Sequence, residues 1–164
     1  MRRHHRTWFS RFAPVAVAAV LTLAATACAP PGRSNPGTGG GLSGDTVAAV
    51  NQDRAASGLG PLGDNAQLTA YAQSWADHLA ATGALTHTDL SALIRRPDMS
   101  GWWGMGENLL ESSAGLSGAA AEDLWMASPE HRASILSPTF THIGVAAAWD
   151  GAGRLWLVAE FGAR

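Results

Sequence analysis

Residues 142–161 read HIGVAAAWDGAGRLWLVAEF and predict a β-hairpin. The two arms, 142–149 and 154–161, flank the turn sequence Asp150-Gly151-Ala152-Gly153, which is rich in the residues that favour tight turns. Alternate side chains of the second arm are apolar on both faces of the strand, with Glu160 as the exception. Strands that are apolar on both faces need a covering layer on each side. The hairpin therefore predicts a sheet that is covered by helices on both faces.

Helical periodicity precedes this hairpin. Helices are predicted over residues 46–57 and 65–82, with a further short turn at 89–95, and two more helices are expected to open at Ser117 and at Ser128. The residues expected to cap or end the longer helices are, in chain order, Asp45, Gly58, Asp64, Gly83, Ser117 and Ser128. In the helix after Ser117, we expect Ala121, Leu124 and Trp125 on one face.

A second strand region is predicted at residues 104–112. Helices before and between the strands, with an antiparallel end, predict an α/β fold. Its architecture is expected to be an α/β/α sandwich around a small, mainly antiparallel sheet.

Composition narrows the range of functions. The chain has 164 residues, one cysteine and a formal net charge of −2, and its length suits one globular domain with a tail. A single cysteine excludes an intrachain disulfide framework and a cysteine-rich zinc finger. The negative charge argues against a nucleic-acid partner, which would need a basic face.

The first 28 residues resemble an export signal. Four arginines precede a sixteen-residue apolar run from Phe12 to Ala27, a pattern typical of a secretory signal peptide over residues 1–27. The small residues before Cys28 resemble a bacterial lipobox, in which the cysteine is lipidated and becomes the mature N-terminus. Simple cleavage nearby is the alternative. We therefore expect an exported protein, held on the outer face of the membrane through Cys28 or secreted.

Residues 28–44 are rich in Pro, Gly and Ser and are expected to form a flexible tether. Its root-mean-square reach is about 20–25 Å. After residues 1–27 are removed, seven basic and thirteen acidic residues remain, a formal charge of −6. Acyl chains, rather than charge, must then hold the protein on a membrane. Residues 45–164 form the predicted domain.

Dispersed histidines and carboxylates are the candidates for chemistry. His87 follows the second long helix, and Glu107 lies in Gly106-Glu107-Asn108 between apolar segments. A surface histidine and a structural carboxylate are their simpler interpretations. His131 lies in the first turn of a helix, where the positive dipole end favours a neutral imidazole, and the same dipole favours the neighbouring Glu130 as a carboxylate. Such residues from separate segments can hold a zinc-like ion with one position open to water.

An ordered set of short motifs resembles the CAP superfamily, which comprises cysteine-rich secretory proteins, antigen 5 and pathogenesis-related 1 proteins. The motifs are Asn51-x-x-Arg54, Ala72-x-x-Trp75-Ala76, His87, Gly106-Glu107-Asn108, Trp125, Ser128-Pro129-x-His131-Arg132, Ile143-Gly144-Val145 and Phe161-Gly162. They extend over nearly all of residues 45–164. The short bacterial branch of the family is the most similar form.

The resemblance implies an α/β/α sandwich with a cleft that holds two histidines and two glutamates. His87, Glu107 and His131 match three of these positions, whereas Ser128 stands at the position of the second glutamate, and Glu130 is a candidate substitute. The family disulfides are absent from this sequence. We expect a binding module for a small lipid, sterol-like or peptide ligand, with a divalent metal such as zinc as a further candidate. A metal-dependent hydrolase of envelope peptides or lipids, and an interaction module with a vestigial cleft, are the alternatives.

Overall fold

The computed structural model describes residues 41–164. The predicted signal peptide, Cys28 and residues 28–40 of the predicted tether lie outside the described residues. The elements follow in the order α1 (Leu42–Ala56), β1 (Gly63–Asp64), α2 (Ala66–Thr82), α3 (Leu90–Leu93), a 3₁₀ helix (Pro97–Met99), β2 (Gly104–Ser112), α4 (Gly118–Met126), α5 (Pro129–Ile135), β3 (His142–Trp149) and β4 (Leu155–Ala163).

The strands form one sheet in the order β1-β3-β4-β2. The predicted hairpin is confirmed, since β3 and β4 pair antiparallel from His142 opposite Gly162 to Trp149 opposite Leu155. Strand β2 pairs antiparallel with the other side of β4, and the two-residue β1 pairs parallel with β3. The most apolar strand, β4, is thus central, and β2 lies at an edge.

Helices cover both faces of the sheet, as the apolar hairpin predicts. On one face, Leu157 and Phe161 of β4 pack in the same core cluster as Val50 of α1, Trp125 of α4 and Ile135 of α5. On the other face, Trp156 and Val158 of β4 pack with Ala72, Ala76 and Leu79 of α2. Side chains alternate along a strand, so β4 contributes to both cores. The mixed α/β sandwich is confirmed.

Three details of the helices differ from prediction. Helix α1 begins after Gly41, not at Asp45, so residues 42–44 of the predicted tether are helical. Helix α2 is capped by Asn65, whose side chain accepts hydrogen bonds from two backbone amides, whereas Asp64 belongs to β1. Leu124 is exposed, whereas Ala121 and Trp125 are buried, because the 100° step per residue places Leu124 beyond the edge of the buried face of α4.

Other boundaries agree with prediction. Gly83 ends α2 in the left-handed conformation at φ 67°, which glycine adopts without strain. The side chain of Ser117 caps α4 by accepting a hydrogen bond from the backbone amide of Ala120. Strand β2 covers the predicted residues 104–112.

A buried arginine joins distant segments on the face covered by α1. Arg54 is 3% exposed, and its guanidinium donates hydrogen bonds to the carbonyl oxygens of Gly60, Ile135 and Ser137 at 2.8–2.9 Å. Burial lowers the pKa of Arg54. This one side chain ties α1 to the segment that leads from α5 into β3.

Backbones approach closely where α2 crosses β3. A Cβ atom added at Gly144 would lie 2.1 Å from the amide nitrogen of Thr69 and 2.3 Å from the carbonyl carbon of Leu68. Only a residue without a side chain fits this contact between sheet and helix. Within residues 41–164, no helix combines the length and the apolar character needed to cross a bilayer.

Candidate functional site

The candidate site is centred on Glu107 in the edge strand β2. Side chains along this strand alternate between the two faces of the sheet. Glu107 therefore shares its face with Leu109, which packs in the α2 core, while Asn108 points to the opposite face. Helix α5 lies on that opposite face, where the side-chain amide of Asn108 donates a hydrogen bond to the backbone carbonyl of His131 at 3.0 Å.

Two residues of the loop after α2 bind the Glu107 carboxylate. The Nδ1 atom of His87 lies 2.7 Å from Oε1 of Glu107. The backbone amide of Thr88 donates to the same oxygen at 3.0 Å, and its hydroxyl donates to Oε2 at 2.8 Å. The Glu107 side chain is 1% exposed, whereas that of His87 is 64% exposed. Glu107 thus holds the loop and presents the other edge of the imidazole to solvent.

A second buried carboxyl group lies beside Glu107. Glu160 is its partner in the β2–β4 register and is 0% exposed. Neither carboxyl oxygen of Glu160 receives a hydrogen bond from a protein donor. Burial, followed by the coulombic effect of the neighbouring Glu107 carboxyl group, raises the pKa of Glu160 to about 9. Glu160 is therefore a neutral acid at pH 7.

Glu160 makes the stability of the fold depend on pH. Its pKa is 4.5 when unperturbed and about 9 in the folded chain. Between these values unfolding releases a proton, so the free energy of unfolding falls as pH rises, by at most about 1.4 kcal/mol per pH unit. We expect Glu160→Gln, which keeps the size of the side chain but cannot ionise, to lose this dependence. Urea unfolding at pH 5, 6.5 and 8 measures it.

The informative quantity is the difference between the variant and the wild type, because other titrating groups then cancel. That difference should increase in favour of Glu160→Gln from pH 5 to pH 8, by up to about 4 kcal/mol. Asp150, whose pKa is lowered to about 2 by hydrogen bonds that outweigh its desolvation, titrates below this range. Parallel stability curves for the two proteins would contradict a neutral Glu160.

His131 lies in the first turn of α5 and is half-buried. Burial and, secondly, the charge of His87 lower its pKa, while Glu130 acts in the opposite direction. The neutral imidazole expected for His131 is therefore mainly a consequence of its burial. His87 and His131 lie close enough for their charges to interact, so the loop after α2 and the start of α5 approach each other at the margin of β2.

Glu130 is placed differently from the other candidates. Its side chain is exposed and accepts a hydrogen bond from the hydroxyl of Ser128 at 3.2 Å. The carboxyl group that does accompany Glu107 belongs to Glu160. The sequence analysis did not include Glu160 in the candidate site. The one sequence feature that could have identified it is a carboxylate at an inward-facing position of the most apolar strand.

A cavity of about 380 Å³ opens beside the carboxyl pair. Tyr71, Ser74 and Trp75 of α2 form one wall, and the opposite wall comes from residues 88–96. Glu160 contributes to its lining from the sheet. The carboxyl pair, the histidine loop and the cavity therefore form one continuous region.

The sequence model of the cysteine-rich secretory protein family, CAP, matches residues 47–161. This chain belongs to the CAP family. The match covers every element that holds the candidate site, from α2 to β4.

One relative is similar in sequence, and two solved structures share the fold. Pathogenesis-related protein 1 of Arabidopsis thaliana is 38% identical over 82 residues, which span half of this chain and 43% of that protein. An extracellular SCP-domain protein of Bacillus anthracis superposes with a TM-score of 0.66 at 21% identity, over 76% of this chain and 41% of that one. An outer surface protein of Borrelia burgdorferi gives 0.64 at 21% identity, over 72% and 89%.

The donor set of this CAP domain does not fit a metal ion. One structural neighbour, NaASP2, was crystallised with Zn²⁺, and it shares the fold at 13% identity and a TM-score of 0.52, over 79% of this chain and 83% of that one. Here, residues 41–164 contain no group of three or more His, Cys, Asp or Glu side chains placed to hold a metal. Both oxygens of Glu107 are occupied by His87 and Thr88, and Glu130 bonds to Ser128. The four predicted candidates are not assembled as a ligand set.

Proposed function

We propose that this chain is an exported CAP-domain protein that binds a small lipid, sterol-like or peptide ligand in the cavity beside Glu107. The observation that carries the proposal is the cavity of about 380 Å³ between α2 and the 88–96 segment. Partly apolar pockets with a few placed polar groups are typical of small-molecule sites. Here Trp75 and Leu93 supply apolar surface, and Thr88 and Glu160 supply polar groups.

Binding is better supported than metal-dependent hydrolysis. The hydrolase alternative requires a set of ligands that residues 41–164 do not bring together. The contacts of Glu107 instead hold the loop that forms one side of the cavity. Its carboxylate accepts hydrogen bonds from Thr88, which itself lines the cavity.

Export and anchoring form the second part of the proposal. The basic and apolar pattern of residues 1–27 and the small residues before Cys28 support it, and two bacterial neighbours are described as extracellular or outer surface proteins. A lipidated Cys28 would keep the domain at the outer face of the membrane, and two or more acyl chains are needed for stable attachment. Without lipidation the protein would be secreted.

Ligand binding is tested with the full chain and a cavity-filling variant. We expect lipid extracts, sterols or short peptides to raise the melting temperature of the wild type, and we expect this shift to vanish in Ala92→Phe, whose ring fills the cavity. Ala81→Phe, at an exposed position of α2 outside the cavity lining, is the matched control and should keep the shift. No shift with any ligand class, or equal shifts in both variants, would refute the proposal.

Anchoring is tested by fractionating cells that express Cys28→Ala. The variant should move from the membrane fraction to the medium or the soluble fraction, because no acyl chain can then be attached. A membrane fraction equal to that of the wild type would refute lipid attachment through Cys28.

A further inference from the structure

The proposed function does not specify the chemical class of the ligand. The buried carboxyl group of Glu160 at the base of the cavity indicates which class fits. Glu160 lies in the lining of the cavity, and neither of its carboxyl oxygens receives a hydrogen bond from the protein. The neighbouring Glu107 does not satisfy it, because the oxygens of Glu107 accept bonds from His87 and Thr88. The carboxyl group of Glu160 is therefore buried without a hydrogen-bond partner, which is unfavourable. A ligand that enters to this depth is therefore favoured if it carries a hydrogen-bond donor.

The walls of the cavity suit an apolar group of the ligand attached to that hydrogen-bond donor. Tyr71 and Trp75 are half-buried aromatic side chains on α2, and Ala92 and Leu93 face them from the other wall. One face of Tyr71 is covered by the Arg96 guanidinium, 5.3 Å from the ring centroid, and Trp75 stacks on His78, so these rings contribute apolar surface to the cavity.

The charges around the cavity favour a positive ligand. Residues 41–164 contain six arginines and thirteen acidic residues, a formal charge of −7 with histidine neutral. Asp89 adds a carboxylate to the cavity wall. Arg96 is the cation in the lining, but its guanidinium bonds to both carboxylate oxygens of Asp98 at 3.1 Å. The positive charge at the rim is thus paired, while the carboxyl groups at the base have, within residues 41–164, no basic partner other than His87.

We infer that the cavity between α2 and the 88–96 segment recognises a primary ammonium group on an aromatic or aliphatic body, with the carboxyl group of Glu160 as its acceptor. This inference rests on the proposed function and specifies the ligand class of the same site. On binding, the ammonium nitrogen donates to Glu160, Glu160 ionises, and the proton it held is released to solvent. The charge-assisted hydrogen bond from the ammonium group stabilises the ionised form of Glu160.

Three probes that share a phenyl group but differ in the charge of their terminal group distinguish the effect of ligand charge from that of ligand shape. We propose calorimetric titration of the full chain with phenethylamine, 2-phenylethanol and 3-phenylpropanoate at pH 7. Phenethylamine should bind at least tenfold more tightly than the alcohol, and the carboxylate should not bind. Titrations in buffers of different ionisation enthalpy should show close to one proton released per amine bound and none for the alcohol.

Glu160→Gln provides the residue-specific test, since glutamine keeps the size of the side chain but cannot ionise. It should lower the affinity for phenethylamine tenfold or more and abolish proton release, with the alcohol unaffected. Glu111→Gln makes the same substitution at an exposed position of β2 and should change the amine affinity less than twofold. Ala92→Phe, which leaves the carboxyl pair intact, should block the amine even if Glu160→Gln is poorly folded.

A primary ammonium group can belong to a lipid headgroup or to a free amine, and a vesicle-binding experiment distinguishes the two. Phosphatidylcholine vesicles with and without phosphatidylethanolamine distinguish a lipid headgroup from a free amine, and preferential binding to either source supports the inference. Equal affinity for amine and alcohol, no proton release, or an unchanged amine affinity in Glu160→Gln would overturn it. If the amines fail while a sterol or neutral lipid still shifts the melting temperature, only the ligand class is wrong. If no ligand binds, the proposed function fails as well.

Discussion

Replacing Gly144 with alanine should lower the free energy of unfolding by about 3 kcal/mol, the upper part of the usual range for overpacking. The added methyl group would lie 2.1 Å from the amide nitrogen of Thr69 and 2.3 Å from the carbonyl carbon of Leu68. These are backbone atoms of α2, so no side-chain rotation can relieve the contact. The helix as a whole must move away from β3.

This displacement also affects the core between α2 and the sheet, where Ala72, Ala76 and Trp156 pack together. We expect a melting temperature about 10 °C lower than that of the wild type, measured by circular dichroism. Gly151→Ala is the control, because an added Cβ there contacts nothing within 4 Å and should change stability by less than about 0.5 kcal/mol. Equal stability of the two variants would show that α2 does not press against β3 at Gly144.

Arg54→Met should cost about 3–5 kcal/mol of unfolding free energy. Methionine retains much of the apolar stem but leaves the carbonyl oxygens of Gly60, Ile135 and Ser137 without the donors they have in the wild type. A hydrogen bond to a charged donor contributes roughly 1.5–3 kcal/mol. Water can reach the less buried oxygens, so the total is smaller than three full bonds.

Chemical unfolding of Arg54→Met and of Arg95→Met measures the effect. Arg95 is exposed, and its replacement removes the same formal charge without a buried partner, so a change below about 0.5 kcal/mol is expected. A loss of stability that is equal in both variants would attribute the effect to net charge instead of to the buried hydrogen bonds.

The elements that the sequence predicted well are those whose signals are local. The boundaries of β2 and β3, the end of α2 at Gly83 and the Ser117 cap each depend on a few neighbouring residues. Strand β1 has only two residues, Gly63 and Asp64, too few for any periodic pattern, so Asp64 looked like a helix cap.

The candidate site was predictable only in part, for a related reason. His87 and Glu107 were candidates from the resemblance to CAP proteins, and the structure brings them into direct contact. The partnership of Glu107 with Glu160 depends on the register of β2 against β4, which a sequence of 52 intervening residues does not reveal. Glu130 was a candidate substitute for the second glutamate of the family and adjoins His131 in the chain, but on a helix adjacent side chains point in different directions.

The position of β2 at the edge of the sheet has a consequence for how new specificities can arise. The carboxyl pair stands on two strands that are fixed by the core, whereas residues 88–96 supply the facing wall from a connecting segment outside the sheet. Exchanging that segment between homologues would alter the shape and chemistry of the recess while leaving the acidic base in place. The fold therefore places the acidic groups that bind the ligand on fixed strands, and the residues that shape the rest of the cavity on an exchangeable segment. Libraries varied at 88–96 would change ligand specificity without altering the core of the domain.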